Sequence, residues 1–251
     1  MALYMNGQEI SQSSGVPISG SGATKPYIEE IYNSDGQLIS ANMHGYDAIR
    51  SYMFRDCPNL ALTSLPSGIT GIGSNAFYGC PNLALTSLPS GITSIGSNAF
   101  QGCTNLALTS LPSGLTSISS YTFYSCTNLA LTSLPSGITN IGIGAFLNCS
   151  KLALTSLPSG ITSIGISTFE NCPKLALTSL PSGLTNIGNN AFRKCTGLTS
   201  ITFTGKPTSI ANNIFNGCTN LTTINVPWAE GAVANAPWGA TNATIHYGYT
   251  G

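Results

Sequence analysis

The residues in this chain best suited to chemistry are its cysteines, and their spacing is rigid. Cys57, Cys80, Cys103, Cys126, Cys149, Cys172, Cys195 and Cys218 are all the cysteines present, and each follows the last by 23 residues. A row of thiols can attack as nucleophiles, bind metal or form disulfides. A nucleophilic thiol needs an imidazole or a cation beside it to lower its pKa. The two histidines, His44 and His246, lie near opposite ends of the chain. A structural zinc site needs ligands paired at short spacing, and neither a CxxC pair nor a nearby His is present. Bridges between successive repeats would be within reach. Equivalent positions aim their side chains in the same direction, however, which is poor disulfide geometry. The spacing therefore predicts a column of reduced, buried thiols, each behaving as a small hydrophobe. Among the carboxylates, only Glu170 falls inside the repeats, and no pair has the setting for glycoside hydrolysis. The glycine-rich text matches no phosphate-binding loop. No catalytic residue, cofactor or metal is expected, and the chain does not read as an enzyme.

The elements that must position those thiols are written in the same period. Leu83–Asn105 returns with few changes when shifted by 23 residues, and Phe54, Phe77, Phe100, Phe123, Phe146, Phe169, Phe192 and Phe215 keep the same register. A fixed period of this length predicts a repeat solenoid, in which each unit buries its apolar side only against its neighbours. The expected fold is a stack of 23-residue leucine-rich coils with short strands and turn or 3₁₀ segments. Phe and Cys should form stacked columns, and both ends should be capped. Residues 1–25 read as an anchor peptide and flexible Gly/Ser linker, and 26–59 as a hairpin with a turn at Asn33–Gly36 followed by a capping repeat. Seven repeats should occupy 60–220, with a capping repeat and final strand in 221–251.

Within a unit, a strand is expected before Pro-Ser-Gly and a second extended piece at Ile92–Ile95. Gly68, Gly91 and Gly114 are expected to supply positive φ. Leu60, Leu65, Ile72 and their equivalents should point inward with the Phe and Cys columns. Leu62 and its counterparts could form an exposed stripe. Where that position becomes Ser200 or Thr223, however, the next residue becomes Ile201 or Ile224. One apolar residue per coil is thus conserved in number and only moves, which favours burial through a local strand shift.

Only 6% of residues are charged, against about 25% in an ordinary soluble domain. From Cys57 to Ser150 there is no Asp, Glu, Lys or Arg. A neutral, hydroxyl-rich surface excludes nucleic acid as a partner, since that needs clustered Lys and Arg, and it gives no hold on an anionic membrane. No apolar run approaches the ~20 residues of a transmembrane helix. Recognition is expected where the copies differ, just after each Phe, with Tyr78, Tyr121 and Tyr124 as candidate contacts. Trp228 and Trp238 could stack on sugar rings or plug the open end of the core, and the plug is the favoured reading. Lys151, Lys174, Arg193 and Lys194 make the C-terminal half mildly basic, as a solvated face.

The run Ile95-Gly96-Ser97-Asn98-Ala99-Phe100-Gln101-Gly102-Cys103, with Leu198, Ile201 and Phe203 of a later unit, resembles the BspA-like leucine-rich repeats, also called the Treponema pallidum type. That family repeats near 23 residues with an A-F-x-x-C turn, and the resemblance covers about residues 37–243. It implies a leucine-rich solenoid and, for function, adhesion at a bacterial or protist surface. The opening MALYMNGQEI does not read as a secretory signal. A short N-terminal peptide, a linker and a repeat body together look similar to repeat proteins of phages and prophages. The resemblance thus implies a non-enzymatic binding protein on a virion surface, a fibre or decoration protein attached through residues 1–25. The alternatives are a bacterial cell-surface adhesin or a purely structural spacer. The expected partner is a host-surface glycan or protein, and a homo-oligomer is also open to such a rod.

Overall fold

The computed structural model describes residues 26–250. Before them it describes only the backbone of two short strands, Leu3–Met5 and Gln8–Ile10, which pair antiparallel. The anchor peptide and linker expected over 1–25 otherwise lie outside the described residues.

A few inward positions recur in every coil and let a 23-residue unit close on its neighbours. In the second coil they are Leu83, Leu85, Ile92, Ile95, Ala99, Phe100 and Cys103, all buried. The Phe rings stack from Phe54 to Phe215 with centroids 5.4–5.7 Å apart. Burying one such ring contributes about 1.5–3 kcal/mol, so this column is a main source of cohesion. Ala76, Ala99, Ala145 and Ala191 beside it are replaced in two coils by buried Thr122 and Thr168. Both hydroxyls donate to backbone carbonyls, Thr122 to Ser119 and Thr168 to Gly165, each at 2.9 Å, so neither leaves an unsatisfied polar atom.

Each coil contributes one short parallel strand. Ala48–Ile49, Gly71–Ile72 and Ser94–Ile95 form one ladder; Ser117–Ile118, Asn140–Ile141, Ser163–Ile164, Asn186–Ile187 and Ser209–Ile210 form another. The interruption falls where Ser119 stands in place of the usual Gly. A Cβ added at Gly73, Gly96 or Gly142 would run into the backbone of the preceding coil, so a side chain here holds adjacent coils apart. The Ser119 hydroxyl restores part of the link by donating to Ile95 O at 2.8 Å. The last full coil accommodates Ala211 at this position, and its N–H still reaches Ile187 O at 3.0 Å.

The segment from this strand to the cysteine is a run of turns. Its amides alternate in destination. Asn98, Phe100 and Gly102 donate to Ser120, Thr122 and Tyr124 of the next coil at 2.8–3.1 Å, whereas Ala99, Gln101 and Cys103 donate to Gly96, Asn98 and Phe100 three residues back. A continuous 3₁₀ helix is impossible when every second amide is committed to the neighbouring coil. The alternation places two residues per coil in the left-handed region. Asn75, Asn98, Tyr121, Gly144, Ser167 and Asn190 have φ of 53–59°, and Asp56, Gly79, Gly102, Ser125, Asn148, Asn171, Lys194 and Gly217 have φ of 55–75°. Asn and Gly suit that conformation best. The expectation for Gly68, Gly91 and Gly114 was misplaced, because none of them adopts left-handed φ.

The strand expected at the start of each unit forms a ladder only late in the chain, from Ser179–Leu180 through Ser200–Phe203 and Thr223–Asn225 to Thr244–His246. Earlier coils are joined there by single bonds, such as Ala84 N–H to Leu62 O at 3.0 Å and Ala107 N–H to Leu85 O at 3.0 Å. Alternation explains the difference. Ile201 and Phe203 are buried while Ser200 and Thr202 are not, a regular period of two. In Leu83–Leu88 the residues at the first and third positions are buried and the next inward residue comes three later. That phase slip turns Leu62, Leu85, Leu108, Leu131, Leu154 and Leu177 into the core, as expected, and costs the pleat its continuity.

Cysteine sulfur completes the cross-coil bonding. The Cys80, Cys103, Cys126, Cys149, Cys172, Cys195 and Cys218 thiols each donate to a Phe carbonyl of the preceding coil, Phe54 for Cys80 and Phe192 for Cys218, at 2.9–3.0 Å. All eight cysteines are free thiols. Burial pushes Cys80 and Cys172 up to about 12 and Cys218 to about 11, and it drives Cys103, Cys126, Cys149 and Cys195 well above the ordinary value.

At the N-terminal end, Tyr27–Tyr32 and Leu38–His44 pair antiparallel around a turn closed by Gly36 N–H on Asn33 O. Ala61 N–H donates to Ile39 O at 2.9 Å and joins this hairpin to the first coil. At the other end, Trp228 and Trp238 pack on Phe203 with centroids 5.4 and 5.6 Å away.

Candidate recognition edge

Two columns flank each buried Phe on the same turn, and both reach solvent. One is the left-handed position two residues before it, and the other is the residue just after it. Most coils fill the first with Asn, Gly or Ser, but Tyr52 and Tyr121 occupy it with φ of 63° and 56°. The second runs Arg55, Tyr78, Gln101, Tyr124, Leu147, Glu170, Arg193 and Asn216. The fold thus gathers three of the expected contacts, Tyr78, Tyr121 and Tyr124, onto one edge.

Their geometry falls into two aromatic groups. Tyr121 is 37% exposed and meets half-buried Tyr124 edge to face, with centroids 6.1 Å apart. The Tyr121 ring rests over Gly144 of the next coil, where any Cβ would collide with it. The other group is Tyr52, 56% exposed, and half-buried Tyr78, with the Arg55 guanidinium 5.8 and 5.1 Å from their ring centres. Arg55 also pairs with Asp56 at 3.1 Å. None of the four phenolic hydroxyls is hydrogen-bonded among the described residues, nor are the side-chain amides of Asn75, Asn98 and Gln101 that lie between the groups.

Ile143 and Ile166 extend the edge, 40% and 48% exposed. They stand where Ser51, Ser74, Ser97 and Ser120 stand in earlier coils. Sequence reasoning missed both, and it missed Tyr52. Aligning every coil on its Phe would have exposed all three. Arg193, expected in a solvated basic face, instead donates to Glu170 at 2.6 Å, with the carboxylate only 15% exposed. That pair closes the edge electrostatically.

The tryptophans do not belong to any recognition surface. Trp238 is fully buried, Trp228 nearly so, and the Trp238 indole N–H donates to Ala234 O at 2.9 Å. They are the plug of the core, because Phe203 and the last coil leave an end that only large rings fill. Open grooves of about 510 and 480 Å³ lie at the two caps, the first beside Lys206 and Val233 and the second between Asn42 and Ser64. No group of His, Cys, Asp and Glu able to hold a metal occurs among the described residues, and none of their helices is long and apolar enough to cross a membrane.

A family model described as the BspA type leucine rich repeat region matches residues 47–176 and 118–230, in six copies. Among solved structures, a leucine rich cell surface protein from Faecalibacterium prausnitzii is 28% identical with a TM-score of 0.52, covering 76% of this chain and 60% of that one. The chain therefore spans less than two thirds of that protein. A leucine-rich repeat protein from T. pallidum is 26% identical with a TM-score of 0.49, covering 77% of this chain and 87% of that one. One from Eubacterium ventriosum is 21% identical with a TM-score of 0.47, covering 82% and 71%. No curated protein matches. The stacked Phe and Cys columns are the structural form of the matched repeat, and the chain belongs to the BspA-type leucine-rich repeat family.

Proposed function

We propose that this protein is a non-catalytic adhesin-type binding protein displayed at a bacterial cell surface, where it recognises a host-cell glycan or protein through the tyrosine-bearing edge. The observation that carries this reading is the contrast between the edge and the rest of the coil. The coils are otherwise near-identical and clothed in Ser and Thr, and large side chains reach solvent where the copies diverge, at Tyr52, Tyr121, Ile143 and Ile166. Exposed aromatic and aliphatic groups clustered on a polar surface mark interaction sites. The cell-surface designation of the Faecalibacterium relative supports the placement. The thiols, which alone had the numbers for chemistry, are held protonated and bonded inside the stack.

A narrower placement, on a virion as a fibre or decoration protein, is supported by the order of a short N-terminal segment, a Gly/Ser-rich stretch and a repeat body. The same experiment addresses both. The fluorescently labelled full chain is titrated onto epithelial and bacterial cells, and antibody against it is used on cell-envelope fractions and purified phage particles. Saturable binding to cells, with the protein in the envelope fraction, is the expected result. Binding to no cell type would leave a structural spacer as the better account, and presence in particles alone would move the protein to the virion.

A further inference from the structure

The arrangement of the edge specifies its ligand more closely than the word adhesin does. Tyr52 and Tyr121 hold left-handed backbone, a conformation that costs a bulky residue on the order of 1–3 kcal/mol and persists where the surroundings or a function demand it. The surroundings do not demand tyrosine, since Asn75, Asn98 and Asn190 occupy the same position in other coils with φ of 56–59°. The two tyrosines stand three coils apart, roughly 15 Å. Each is joined by a second ring on the neighbouring column, Tyr78 and Tyr124. The interval between them contains Asn75, Asn98 and Gln101, whose amides offer donors and acceptors that no group in the chain uses.

We infer that this edge, from Tyr52 and Tyr78 across Asn98 and Gln101 to Tyr121 and Tyr124, binds an extended, uncharged glycan of several sugar units. The inference rests on the binding reading above. A sugar ring presents an apolar C–H face and a rim of hydroxyls. The first suits a tyrosine ring, and the second suits phenol and amide groups that can both donate and accept. The lack of net charge along the path fits a neutral ligand. Arg55 is balanced by Asp56 at 3.1 Å, and no charged residue follows until Lys151. The left-handed tyrosines lie on rigid coils, so little ordering entropy is lost on binding.

The test uses the full chain on an immobilised array of neutral and acidic glycans and on cells treated with periodate, which cleaves vicinal diols, or with protease. Wild type should bind neutral glycans of four or more units and lose cell binding after periodate but not after protease. Tyr52→Asn and Tyr121→Asn install the residue other coils carry there. Each should weaken glycan binding at least tenfold with a thermal midpoint unchanged or higher, whereas Ile166→Ser should bind as wild type. Cell binding that survives periodate and disappears with protease would overturn the glycan while leaving the adhesin reading intact, as would an array with no neutral glycan bound. Loss of affinity only in proportion to a lowered thermal midpoint would reduce the tyrosines to a structural role. Absence of binding to any cell or glycan would remove both readings.

Discussion

At the scale of single residues, sulfur is the least ordinary part of the stack. The Cys126 thiol donates to Phe100 O at 3.0 Å, and the same oxygen accepts the Cys103 N–H at 3.0 Å. Cys126→Ala would leave that carbonyl with its backbone donor, so the loss is one weak bond and a small cavity, about 1–2 kcal/mol. Cys57→Ala, at the half-buried end of the column, should cost under about 0.5 kcal/mol. Urea midpoints for the two variants, at unchanged m-value, check the difference; equal losses would mean that position in the column does not matter. The column itself was legible, because a 23-residue period places equivalent side chains in line. Its bonding was not. Each thiol reaches a carbonyl 26 residues back, an offset set by how far one coil is displaced across the next. Trp238 shows the same division. Counting from Phe215 placed it on the Phe register, but only the packing of Phe203 against both indoles shows that neither can meet a ligand.

At the scale of the element, the turn segment was the part least readable from the text. Gly91 recurs in every unit and looked like the residue needed for left-handed backbone, yet that conformation falls at Asn98 and Gly102. The error has a physical source. Which residue turns left-handed is decided by the alternation of amides between the coil itself and its neighbour, and that alternation exists only once coils stack. Two substitutions separate the roles. Gly91→Ala should be neutral or stabilising by up to about 1 kcal/mol, since the nearest atom to an added Cβ is Ile69 O at 3.7 Å and the unfolded chain loses freedom. Asn98→Ala should cost about 1 kcal/mol because alanine lacks the side chain that eases φ of 56°. Thermal midpoints moving in the reverse order would reinstate Gly91 as the strained position. The recognition edge lies on this same segment. Tyr78, Tyr121 and Tyr124 could be named because they interrupt repeated text, whereas Tyr52 sits in a capping coil whose leucine text is missing and was hidden by that loss of register.

At the scale of the whole molecule, stability depends on an apolar stack with almost no charge inside it. Acidic residues gather in the N-terminal cap, with Asp47 and Asp56 beside the first coil, and basic ones in the C-terminal half. Within the coils, few groups can couple stability to pH until the thiols titrate. In the unfolded chain a thiol ionises near 9, but burial in the stack raises Cys80 and Cys172 to about 12 and Cys218 to about 11 and drives the interior members in the same direction. Above pH 9 the unfolded state therefore holds fewer protons than the folded state, and stability falls as pH rises. The contribution is complete below pH 9 and is lost progressively as pH climbs toward 11–12. Each thiol that stays protonated only in the fold contributes a slope of about 1.4 kcal/mol per pH unit. Because every coil rests only on its neighbours, one thiolate anywhere in the column opens the stack. Urea midpoints measured with reductant present should be level to about pH 8.5 and then fall steeply. Replacing Cys103, Cys126 and Cys149 together by Ala should remove about 4 kcal/mol per pH unit from that slope while lowering stability at neutral pH. An unchanged slope in the triple variant would assign the alkaline loss to other groups and deny the column its part in it.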